Sequence, residues 1–121
     1  MSTLEIANKL VALCKAGKFA DAETLYADNA VSVEAGAAPG VERVTNGLAG
    51  IRAKGEWWST NHEVHSMVVA GPWPLDDRFI VGFKIDATMK ASGQRFDMEE
   101  MALYTVKDGK IVREEFFYDA G

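Results

Sequence analysis

A length of 121 residues makes one domain with a single core and leaves no room for a second. Apolar residues at 48% and charged residues at 26% exclude a disordered chain, a collagen-like repeat and a disulfide scaffold. The net charge of −5, with the basic residues scattered, argues against nucleic acid as a partner.

Ser2 and Glu5 have capping-box spacing, and Leu4, Ala7, Leu10, Val11 and Cys14 recur at helical period, so a helix opens the chain and Gly17 ends it. A second helix carries Phe19, Ala22, Leu25 and Tyr26 and closes at Asp28-Asn29. Residues 30–34 read as a short strand. Residues 35–46, with Gly36, Pro39 and Gly40, read as a loop. A third helix begins near Asn46 and carries Leu48, Ile51 and Trp58. Gly50 and Gly55 inside it each cost about 1 kcal/mol against Ala, so tertiary packing must hold it.

From His62 the period changes to two. Residues 64–70 form one strand, broken by Gly71-Pro72-Trp73-Pro74, with Asp76-Asp77 in the turn. Phe79, Val81, Phe83, Ile85, Ala87 and Met89 alternate with polar residues in a long half-buried strand. Ala91-Ser92-Gly93 turns the chain back into a strand over 95–106. Asp108-Gly109 centres a hairpin turn, and residues 111–119 form the last strand. Helices followed by a long antiparallel meander give an α+β fold. Its curved, cone-shaped sheet is closed on one side by three N-terminal helices, with a mostly apolar pocket between the layers.

Three groups of residues have a familiar look. They are Ala16-Gly17-Lys18-Phe19, the run from Leu25 to Ala30, and Val33-Glu34. Together with Gly47 to Arg52 and the ending Tyr104 to Val112, they resemble the nuclear transport factor 2-like superfamily. The resemblance is to its SnoaL-like and ketosteroid isomerase-like branch, which includes polyketide cyclase-like proteins. It covers nearly the whole chain, taken as a single domain over residues 1–121, and implies the cone fold. It also implies a general base at the end of the first strand, where Glu34 stands. The family's two oxyanion donors match positions held here by Leu10 and Met101. Ketosteroid isomerisation is therefore not expected, because oxyanion stabilisation is usually the largest catalytic term. Many relatives pair through the convex sheet face, which implies a homodimer.

Several further residues are candidates for the site. A two-residue turn at Asp108-Gly109 pairs Lys107 with Lys110, so Leu103 faces Glu114, Met101 faces Phe116 and Glu99 faces Tyr118. One face then carries Glu99, Met101, Leu103, Val112, Glu114, Phe116 and Tyr118. A glutamate on so apolar a face needs a partner or a task. The other face, with Glu100, Ala102, Tyr104, Arg113, Glu115 and Phe117, has the composition of an interface. His62 and His65 fall on opposite faces of a strand, so one of them faces the pocket as an acid–base group. The catalytic candidates are thus Glu34, Glu114, His62 and His65. The ligand-binding candidates are Tyr26, Trp58, Phe83, Glu99, Met101, Phe116 and Tyr118. For each, the ordinary alternative is core packing or a solvated rim.

No phosphate-binding loop, nucleophile elbow or Cys–His pair is visible, so no cofactor is expected. With only two histidines, neither is a dedicated metal site. Cys14, the lone cysteine, sits on an apolar stripe and fits a reducing, cytoplasmic setting. The N-terminus lacks the pattern of a secretory signal, and no apolar run suits a membrane span. The expected activity is proton transfer of isomerase, cyclase or hydratase type on a small hydrophobic carbonyl compound. A non-catalytic ligand-binding module and a dimeric association module are the alternatives.

Overall fold

The computed structural model describes residues 1–36 and 42–119. Residues 37–41, the Pro39-Gly40 part of the expected loop, lie outside the described residues. The helices are α1 (Thr3–Lys15), α2 (Phe19–Ala22), extended by a 3₁₀ turn over Glu23–Leu25, and α3 (Leu48–Asn61). The strands are β1 (Tyr26–Val33), β2 (Val44–Asn46), β3 (His62–Leu75), β4 (Arg78–Met89), β5 (Arg95–Lys107) and β6 (Lys110–Phe117). They form one sheet in the order β2-β1-β6-β5-β4-β3. The β1–β6 pair is parallel and every other pair is antiparallel.

The local signals act as their chemistry dictates. Ser2 Oγ accepts from Glu5 N at 3.1 Å, and Glu5 Oε1 accepts from Ser2 N at 3.2 Å, which closes the capping box. Asp108 and Gly109 both take positive φ, 52° and 75°, as a tight hairpin turn requires. Gly50 lets α3 approach the sheet, for a Cβ there would lie 2.9 Å from the Thr45 methyl.

Four readings are corrected. The second helix is a single turn plus a 3₁₀ turn, and Tyr26 opens β1, which is longer than expected. Val44–Asn46 in the expected loop is a strand. Gly71-Pro72 does not end β3, because β3 lies at the sheet edge, where a missing N–H costs no ladder bond. The fourth correction bears on the site. The hairpin turn does pair Lys107 with Lys110, but the ladder then slips, with Val106 opposite Ile111 and Thr105 opposite Arg113. Val112 is a bulge, so Tyr104 stands opposite Glu114 and Met101 opposite Phe117. The two faces of β5 are therefore exchanged. Ala102, Tyr104 and Val106 point inward and are buried, while Met101 is 41% exposed on the outer face and Glu99 is exposed.

The core forms where Ile6, Leu10 and Cys14 of α1 meet Phe79, Val81, Phe83 and Ile85 of β4 and Tyr104 of β5. Phe79 stacks on Tyr104 with ring centroids 4.9 Å apart. Buried side chains fill this layer between α1 and the sheet. Among the described residues no helix is long and apolar enough to cross a membrane.

Candidate functional site

The end of β1 carries Ser32 and, two residues on, Glu34, which alternation puts on the same side. Parallel pairing sets Ser32 beside Glu114 of β6. Lys54 lies one helical turn after the buried Ile51 on α3, which aims it at the same place. Its ammonium donates to Glu34 Oε1 at 2.7 Å and to Ser32 Oγ at 2.6 Å. Ser32 in turn donates to Glu114 Oε2 at 3.1 Å. Tyr118 donates its hydroxyl to Glu34 Oε2 at 2.9 Å. The ring of Phe116 lies under Lys54, 5.4 Å from the ammonium. One hydrogen-bonded chain thus links Glu114, Ser32, Lys54, Glu34 and Tyr118.

Burial grades this chain. Ser32 and Glu114 are 0% and 4% exposed, whereas the Glu34 and Lys54 side chains are 19% and 20% exposed. Burial pushes the Glu114 carboxyl up, against hydrogen bonds from Tyr26 and Ser32 and the charge of Lys54. Burial and the Glu114 charge hold the Tyr26 and Tyr104 phenols well above their usual range. Tyr118 is pushed up to about 12 by burial and by its bond to Glu34, so it remains a donor. Glu100 of β5 is half-buried near the same charges. Burial, then Glu34 and Glu114, raise its carboxyl from 4.5 to about 7, with Lys54 opposing.

Beside Glu34 lies a half-open hollow of about 190 Å³, lined by Val33, Glu34, Ala35, Arg43, Glu115, Phe116, Phe117 and Tyr118. It is smaller than the usual ligand pocket of roughly 300 Å³ or more. It opens at the ends of β1 and β6, and half of its lining is charged or polar, unlike the mostly apolar pocket expected between the layers.

Of the sequence candidates, Glu34, Glu114, Tyr26, Phe116 and Tyr118 come together. The others do not. His62 is buried against α3, where its Nδ1 bonds the Trp58 carbonyl at 2.8 Å and its ring stacks on Trp58 at 4.3 Å. His65 is exposed and bonds Thr88 Oγ1 at 2.7 Å. Trp58 and Phe83 pack in or against the core. Glu99 and Met101 are on the outer face for the reason given above. Leu10 is a core residue at 1% exposure. Sequence reasoning missed Lys54, Ser32 and Glu100. The signals for the first two were the spacing of Lys54 from Ile51 and of Ser32 from Glu34. Among the described residues no group of three or more His, Cys, Asp or Glu side chains is placed to hold a metal ion.

The SnoaL-like domain model matches residues 1–118. A candidate SnoaL-like polyketide cyclase of Mesorhizobium loti, also designated a carbohydrate phosphatase, is 44% identical. Its structure superposes with a TM-score of 0.92 over 98% of this chain and 100% of that one. A nuclear transport factor 2-like protein of Burkholderia thailandensis, 18% identical, shares the fold with a TM-score of 0.85 over 98% and 92% of the two chains. A candidate isomerase of Bacillus subtilis, 20% identical, does so at 0.79 over 98% and 90%. No curated protein matches the chain at a significant level.

Proposed function

The chain belongs to the SnoaL-like family, and on that footing we propose that it catalyses proton transfer on a small carbonyl compound, in a reaction of isomerase, cyclase or hydratase type. The observation that carries this reading is the setting of Glu34. One oxygen meets the Lys54 ammonium at 2.7 Å and the other meets the Tyr118 hydroxyl at 2.9 Å, beside an open hollow. A carboxylate so placed can take a proton from the carbon next to a bound carbonyl. The charge that then develops on the carbonyl oxygen needs donors, and the candidates are Tyr118, which lines the hollow, and Lys54, which bonds Glu34. They supply an electrophilic side from positions other than those of Leu10 and Met101. The Mesorhizobium loti relative's designation as a candidate cyclase supports the cyclase member of this set.

The test is product analysis. Incubation with a panel of small keto acids and keto esters should give a transformed compound with the wild type and none with Glu34→Gln. A compound that is bound equally by both proteins and recovered unchanged from both would replace this reading with that of a binding module.

We also propose a homodimer formed through the outer sheet face. Val68, Ile80, Met101 and Phe117 are 58%, 36%, 41% and 52% exposed there, and Met101 and Phe117 are cross-strand neighbours.

A further inference from the structure

Arg43 stands at the rim of the hollow. Its Nε donates to the backbone oxygen of Glu34 at 3.1 Å, and Glu34 N donates to the Arg43 oxygen at 2.8 Å. The two residues are thus laced together, and both line the hollow. With Nε engaged, four other N–H groups of the guanidinium remain. The four other arginines each face an acid: Arg52 meets Glu23, Arg78 meets Asp77, Arg95 meets Asp86 and Arg113 meets Glu115. Among the described residues Arg43 alone is an arginine outside an ion pair. The two carboxylates that share the hollow with it are already compensated, Glu34 by Lys54 and Tyr118 and Glu115 by Arg113. The remaining wall, Val33, Phe116 and Phe117, is apolar.

We propose that the hollow binds a small monocarboxylate, with Arg43 as its anion anchor, and that the substrate is a short keto acid. Its carboxylate lies on the guanidinium fork, its carbon chain lies on Phe116, and its carbonyl reaches Glu34 and Tyr118. A planar carboxylate matches two parallel N–H groups. A phosphate dianion would be repelled more strongly by Glu34 and Glu115. The volume of about 190 Å³ equals roughly six water molecules at ~30 Å³ each, which suits a short chain and not a polycyclic one. The placement of the carbonyl rests on Glu34 being the acting base. The anchoring of the carboxylate does not.

Levulinate and its methyl ester share one skeleton and differ in charge, so titration of both, followed by NMR, reads the anchor directly. The wild type should bind levulinate about tenfold or more tighter than the ester, and more tightly than inorganic phosphate. Arg43→Gln should bind acid and ester alike, Arg43→Lys should keep part of the preference, and Glu34→Gln should keep or increase it, because one negative charge of the hollow is gone. Equal binding of acid and ester by the wild type would overturn the proposal. So would failure to bind levulinate at millimolar concentration, tighter binding of phosphate, or a preference that survives Arg43→Gln. If the preference depends on Arg43 but Glu34→Gln leaves turnover intact, the anchor stands and the assignment of the base falls.

Discussion

Glu100 and Glu34 show how differently one side-chain type behaves within one site. Glu34 is held by two donors, while Glu100 is half-buried close to two other carboxylates, and its carboxyl rises to about 7. Between pH 4.5 and about 7 the folded protein keeps a proton on Glu100 that the unfolded chain has released. The unfolded state then binds fewer protons, so stability falls as pH rises through that window and levels off above it. Glu114, also raised by burial, adds in the same direction. Glu100→Gln removes the share of Glu100. The variant should match the wild type near pH 4 and exceed it at pH 8 by on the order of 2 kcal/mol, measured by urea unfolding. Equal stability at pH 8 would mean that Glu100 is well solvated. At this scale the sequence was half legible. Glu34 was visible through the family resemblance, which puts a base at the end of the first strand. Lys54 stands among polar residues on a weakly patterned helix, and only the fold brings it over Glu34.

The bulge at Val112 governs what β5 and β6 present to the interior. The more apolar composition of their face, together with the family resemblance, put Glu114 and Phe116 inside, but a regular ladder carried across the turn brought Glu99 and Met101 in with them. An extra residue in one strand leaves no mark in a period-two pattern when both faces carry apolar and charged residues, as both faces of β5 do. The turn chemistry of Asp108-Gly109 fixes the hairpin tip and says nothing of a slip two pairs away. Deleting Val112 would remove the bulge and keep the pairs Thr105–Arg113 and Tyr104–Glu114, so Glu114 and Phe116 should stay inside. The deletion variant should keep cooperative unfolding, followed by circular dichroism during heating. Loss of the cooperative transition would show that the bend at the bulge, and not the pairing alone, holds β6 in place. The helix caps, hairpin turn and long strands were legible because each rests on a local rule. The parallel β1–β6 pairing was not, because it joins residues far apart in the chain.

For the whole molecule, the curved sheet has one face packed by helices and one with exposed apolar side chains. The exchange of the β5 faces alters the composition of the outer one. Tyr104, read as an interface residue, is buried in the core, while Met101 and Leu103 join Phe117 outside. Exposed patches of this kind mark association surfaces when they are contiguous. A homodimer through this face should give twice the monomer mass in sedimentation equilibrium. Met101→Glu combined with Phe117→Glu should shift it to monomer without unfolding it. A monomeric wild type at micromolar concentration would overturn the proposed dimer.

In the proposed reaction Glu34 removes a proton from carbon in a site completed by Lys54 and Tyr118. Deuterium uptake at the activated methylene of ethyl acetoacetate, followed by NMR in D₂O, tests it most directly. The wild type should exceed the buffer rate. Glu34→Gln should lose that acceleration by about 100-fold or more, the scale of a lost general base. Lys54→Met should lose much of it as well. Uptake by Glu34→Gln as fast as by the wild type, or by the wild type no faster than buffer, would contradict the claim.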